Sequence, residues 1–168
     1  INRNFTSPVK INLKQNKNKL KVLMMYDDDP FKKWDIINKY LLDVCIKQSK
    51  NPNNITIDKF FIKVIKGILL NSHKDPAFAA ELLSLPSENE IAENIKNYNP
   101  DKVFKARKDI IKNIKNTLYN EFHCIYKKCS TVSNRNLRSW RVLHNICLEY
   151  LTIEGNTSSQ KIALEAYN

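Results

Sequence analysis

DPAFAAELLSLPSENEIAE, residues 75–93, decides how this chain folds. Asp75 before Pro76 is a helix start. The aspartate side chain can accept a backbone N–H of the first turn, and proline suits the first helical position, where no N–H is needed. Phe78, Leu82 and Leu83 supply the apolar side of a short helix. Leu85-Pro86-Ser87 then stops it. Ser87 with Glu90 reads as a capping box that restarts a second helix, the serine oxygen accepting the Glu90 N–H and the glutamate reaching back to the Ser87 N–H. The stretch holds no nucleophile, metal ligand or phosphate loop. It is a corner between two helices.

The same punctuation recurs on both sides. Leu20, Leu23 and Met24 fall at helical spacing from Asn16 onward. Asp29-Pro30 opens a helix with the stripe Trp34, Ile37, Leu41, Val44 and Cys45, broken by the run NPNN at residues 51–54. Ile57, Phe61, Val64, Ile65, Ile68 and Leu69 form the next. Asn99-Pro100 starts the longest helix, to about Cys129, with Val103, Arg107, Ile111, Ile114, Leu118, Phe122 and Ile125 on one side. Ser133 is expected to cap a helix with two apolar stripes, Leu137/Trp140/Leu143/Cys147/Leu151 and Val142/Ile146/Tyr150, sandwiched between neighbours. Gly155 ends it before a last helix over SSQKIALEAY. Only Phe5 to Leu13 alternates as a strand does, with Val9, Ile11 and Leu13 against Lys10, Asn12 and Lys14. The expected fold is therefore all-α: antiparallel helices in a solenoid-like, armadillo-like layered arrangement, with one short N-terminal β-strand.

Composition agrees. The chain has 168 residues, 42% hydrophobic and 27% charged, with only two glycines, which disfavours hairpins. The net charge is +11. Arginine contributes only Arg3, Arg107, Arg135, Arg138 and Arg141, although bidentate phosphate recognition favours it. The lysines are spread among asparagines along the whole chain, as in KQNKNKLK. They read as solvated faces, not as a polyanion site, so neither a nucleic-acid nor a membrane partner is expected. No apolar run reaches transmembrane length.

Candidate metal chemistry is confined to His73, His123, Cys124, Cys129 and His144. His123 and Cys124 are adjacent on a helix and point about 100° apart, and Cys124 and Cys129 lie five apart, so neither pair shares a face. No C-x-x-C or H-E-x-x-H occurs. Cys45, Cys124, Cys129 and Cys147 read as buried, reduced thiols of a cytosol-like compartment. Asp27-Asp28-Asp29 reads as a solvated helix start. Catalytic, cofactor-binding and metal-ligating residues are each expected to be none.

Four stretches, NFTSPVKINL, LMMYDDDPFKKWD, DPAFAAELLSLPSENEIAE and LRSWRVLHNICLEYL, resemble in order and spacing the later part of zinc alanyl aminopeptidases of the aminopeptidase N family, bacterial and protozoan branch. The family patterns are an F-S-A-P-V strand, a D-x-F-x-R-W helix start, a D-P-A-x-x-A-x-x-L-x-L-P-S-E corner and an R-x-L-R-N-x-C-L-x-Y-L helix. Thr6, Lys33 and His144 depart from them, the last two where arginine is usual. The resemblance implies that residues 1–14 are the terminal strand of a preceding β-sandwich domain and residues 15–168 the N-terminal part of the C-terminal helical domain. It implies zinc in the full-length parent and none bound by this chain, because the H-E-x-x-H, third-glutamate and G-x-M-E-N motifs lie upstream. The partners implied are the upstream catalytic domain and the parent's peptide substrates. Starting at Ile1, the chain reads as a piece of a longer one, and self-association of the isolated piece is expected. A helical-repeat module that binds proteins or nucleic acid is the alternative; salt-dependent nucleic-acid binding would favour it.

Overall fold

A computed structural model describes residues 17–52, 57–131 and 137–167. These residues contain eight α-helices and no strand: α1 Lys17–Tyr26, α2 Pro30–Lys50, α3 Lys59–Asn71, α4 Pro76–Leu83, α5 Glu88–Glu93, α6 Pro100–Ser130, α7 Leu137–Thr152 and α8 Thr157–Tyr167. The all-α layered expectation holds for them. The expected strand Phe5 to Leu13 and the Ser133 cap lie outside the described residues.

Each Asx-Pro pair starts a helix as its chemistry requires. The side chains of Asp29, Asp75 and Asn99 accept from the N–H of Lys32, Phe78 and Lys102 at 3.2, 2.9 and 3.0 Å. Each thereby satisfies one of the donors that a helix start leaves without a partner. Gly155, at φ 64°, turns the chain between α7 and α8, in the left-handed region that glycine enters without strain.

Helices far apart along the chain pack together. α1 rests on α2 and α3; α6 packs against α2, α3 and α5; α7 lies against α4 and α6; and α8 lies on α7. One continuous core runs through the stack, from Met24 and Ile37 through Phe61 and Leu83 to Phe122, Leu143 and Ile162. Of the two apolar faces expected on α7, Leu143, Cys147, Tyr150 and Leu151 are buried. Val142, however, is 41% exposed, because α4 and α6 meet the helix on the side that Leu143 and Tyr150 occupy. α6 is bent: Leu118 has φ −123° and ψ 29°, outside the helical region. Beside it Thr117 Oγ1 donates to the Asn113 carbonyl at 3.0 Å, the back-bonding that bends helices.

The corner at residues 75–93 is fastened from two sides. Ser87 Oγ accepts the Glu90 N–H at 3.2 Å, so half of the capping box forms. The Glu90 carboxylate does not supply the other half; it accepts from Asn38 Nδ2 of α2 at 2.6 Å. Tyr150 of α7, 2% exposed, donates its hydroxyl to the Leu83 carbonyl at the end of α4, at 2.8 Å. A local motif is thus tied to a helix 67 residues away along the chain.

Candidate functional site

The residues singled out as metal candidates are not brought together. His73 is exposed beyond the end of α3. His123 stacks on Tyr119 with ring centroids 5.7 Å apart, and His144 on Tyr126 at 4.5 Å. His144 Nε2 also lies 3.4 Å from Ser130 Oγ, so the imidazole found where the family pattern has arginine serves the α6–α7 contact. Lys33, the other departure, donates from Nζ to the Met25 carbonyl at 3.2 Å and ties α2 to α1. Among the described residues no group of three or more His, Cys, Asp or Glu is placed to hold a metal ion.

Two expectations need correction. Cys45 and Cys147 are buried, but Cys124 is exposed and Cys129 half-buried, because Cys124 falls on the solvent side of α6, off the stripe of Phe122 and Ile125. Burial pushes the Cys45 thiol up to about 12 and Cys129 to about 11, so both stay protonated and unreactive at neutral pH. The aspartate run is not uniformly solvated either. The Asp27 side chain is 1% exposed, with Lys32 Nζ 3.8 Å away, while Oδ1 accepts the Asp29 N–H at 3.1 Å. It belongs to the turn between α1 and α2.

Two charged arrangements are built by the packing of α6. Lys115, 8% exposed, donates to Glu154 Oε2 at 2.7 Å; Lys112 Nζ lies 3.4 Å from Oε1, and Asn156 Nδ2 donates to Oε2 at 3.1 Å. Lys115 first, and Lys112 after it, hold the Glu154 carboxyl below its usual range. A depressed carboxyl stabilises the fold above its unfolded-state pKa, ~4.3, and that contribution is lost as pH falls through the folded value. The urea midpoint is therefore expected to stay flat from neutral pH to about 5 and to fall below about 4, with a shallower acid slope in Glu154→Gln. Identical acid slopes in the two proteins would refute this role.

The second arrangement is an open groove of about 380 Å³ between α5, α6 and α7. Arg107 and Lys108 of α6 line one wall, with Glu88 of α5 beside them, and Glu149 of α7 lies on the other. Phe104, Ile111 and Ile153 give it apolar surface. Arg107 Nη1 is 3.9 Å from Glu88 Oε1, beyond hydrogen-bond distance, and its buried Nε has no acceptor. The apolar stripe of α6 puts Arg107 on the core side, but the groove needs three helices to exist and leaves no mark in the sequence of any one of them.

Helices packed in layers over one continuous core define a helical domain of the ARM-repeat class. The chain belongs to the family described as a domain of unknown function (DUF3458_C), ARM repeats, which matches residues 17–168; it is a C-terminal ARM-like domain of the aminopeptidase N family. It is 29% identical over 156 residues to aminopeptidase N of Escherichia coli strain K12, covering 88% of this chain and 18% of that protein. To aminopeptidase N of Haemophilus influenzae it is 26% identical over 166 residues, covering 94% and 19%. The fold also matches the crystal structure of Legionella pneumophila aminopeptidase A in complex with aspartic acid, with TM-score 0.80 and 20% identity over 98% of this chain and 20% of that one. The chain thus spans about a fifth of the length of these relatives.

Proposed function

We propose that this chain is the non-catalytic helical part of a zinc metalloaminopeptidase that releases N-terminal residues from peptides. The observation that carries the reading is the family match over residues 17–168. In this reading residues 1–14 end a preceding β-sandwich domain and residues 15–168 begin the helical domain. The helices wall the catalytic cleft, admit free peptide N-termini and limit water at the reacting bond.

Among the described residues the donor set does not fit a zinc centre. The histidines lie apart, Cys45 and Cys129 are held protonated, and the described residues offer no group of three donors. The chemistry is accordingly assigned to other parts of the parent protein, and this chain contributes shape and support. Reduced core thiols suit a cytosol-like compartment. No helix among the described residues is long and apolar enough to cross a membrane.

The isolated 168-residue chain is expected to leave an alanyl reporter substrate intact and to retain no stoichiometric zinc after dialysis. Turnover by metal-replete chain, or one zinc held per molecule, would contradict the assignment.

A further inference from the structure

The start of α7 carries charge of the wrong sign for a helix. Helix N-termini favour carboxylates and disfavour cations, because the aligned peptide dipoles put partial positive charge there. α7 has no acidic residue in its first turn; it has Arg138, with Arg141 one turn on along the same side, and both are exposed. The surrounding sequence is one-sided as well. From Phe122 to Leu148 it holds no aspartate or glutamate, but Lys127, Lys128, Arg135, Arg138 and Arg141, with three of the chain's five arginines among them. α6 and α7 run antiparallel, since Phe122 stacks on Tyr150 at 4.4 Å and Tyr126 on His144 at 4.5 Å. Lys127 and Lys128, exposed in the last turn of α6, therefore stand at the same end of the helix pair as Arg138 and Arg141. None of these four cations makes an ion pair among the described residues. Glu165 of α8 comes near enough to add to the burial that pushes the Tyr126 phenol up, yet it pairs with none of them. The lysines suit the end of α6, whereas Arg138 costs α7 stability.

From this juxtaposition we infer that the joined end of α6 and α7 is a docking surface for an acidic segment of another polypeptide. Carboxylates of that segment meet Arg138 and Arg141, whose planar guanidinium groups match a carboxylate with two parallel donors. Lys127 and Lys128 take further carboxylates as point charges. An aliphatic side chain of the segment covers Val142, 41% exposed on the outward side of α7, and the exposed Asn145 offers its amide to the segment's backbone. Other polyanions fit less well. A nucleic-acid single strand needs aromatic faces on which to stack. Here Tyr126 is 8% exposed and stacked on His144, and Trp140 packs against the core. A membrane surface takes large apolar side chains that insert, and among the described residues of α7 the exposed large apolar side chain is Val142 alone. The docking surface is independent of the aminopeptidase reading, because its test measures binding without turnover.

Fluorescence anisotropy of a labelled glutamate-rich peptide containing leucine, titrated with the 168-residue chain at physiological ionic strength, tests it. Binding is expected, with NMR shifts confined to the last turns of α6 and the first turns of α7. Arg138→Glu with Arg141→Glu should weaken it about tenfold or more, since hydrogen bonds between charged groups are lost. The melting temperature of that variant should hold or rise, because glutamate suits a helix start. Lys102→Glu with Lys105→Glu changes the net charge equally at the far end of α6, several screening lengths away, and should leave binding within about twofold. No binding, or equal loss in the two double variants, would overturn the surface, the latter by showing general attraction to a basic chain. A lower melting temperature in the arginine variant would overturn it by giving those side chains a structural role. Tighter binding of single- or double-stranded DNA, or of phosphatidylserine vesicles, than of the peptide would overturn it by assigning the surface to another partner.

Discussion

Phe122→Ala is expected to cost about 3–5 kcal/mol, the range for removing a fully buried phenylalanine. Phe122 is 0% exposed on α6 and stacks on Tyr150 of α7, ring centroids 4.4 Å apart at 14°. α6 and α7 form the most extensive helix contact of the stack, so a hole there loosens two layers together. It also lies one turn beyond the bend at Leu118, where α6 departs from helical geometry. In a domain of this size each kcal/mol lowers the melting temperature by ~2–4 °C. A melting temperature within about 2 °C of the parent chain would mean that Phe122 does not join the layers as described.

Tyr150→Phe removes one oxygen and is expected to cost about 1–3 kcal/mol. The hydroxyl is the donor that satisfies the Leu83 carbonyl where α4 stops, and the site is too buried for water to replace it. Burial pushes the phenol far above its usual range, so it remains a neutral donor at every accessible pH. The loss should therefore be independent of pH, unlike that of Glu154→Gln. Hydrogen exchange should quicken first at residues 84–87, the turn between α4 and α5. Stability equal to the parent chain would show that the corner holds itself without α7.

Most of the helix ends were legible because they depend on neighbours in sequence. Asp29-Pro30, Asp75-Pro76 and Asn99-Pro100 each fulfil their cap within three residues. Apolar spacing also identified the buried side of α2, α3 and α6. Cys124 was misread against local periodicity, which alone puts it off the α6 stripe; the other failures depend on a distant partner. Lys115 reads as one more solvated lysine until Glu154, 39 residues on, comes beside it. Glu90 reads as the second half of a capping box until α2 presents Asn38. Val142 reads as core until the packing of α4 and α6 chooses the other side of α7. The groove at Arg107 could not be read at all, since its three walls come from separate helices. The family was legible only through the motif stretches. Of these the corner has a visible physical role, as the point where α2, α4, α5 and α7 are joined.

The most direct test of the central claim is immunodepletion of an extract of the source cells with an antibody raised against this chain. If the chain is part of a zinc aminopeptidase, the captured protein is expected to be about five times the size of the 19.7 kDa chain, from its one-fifth share of its relatives. An alanyl-reporter activity abolished by chelation and restored by zinc is expected to leave the extract with it. Capture of a protein no larger than the chain itself, with that activity undiminished in the depleted extract, would contradict the claim.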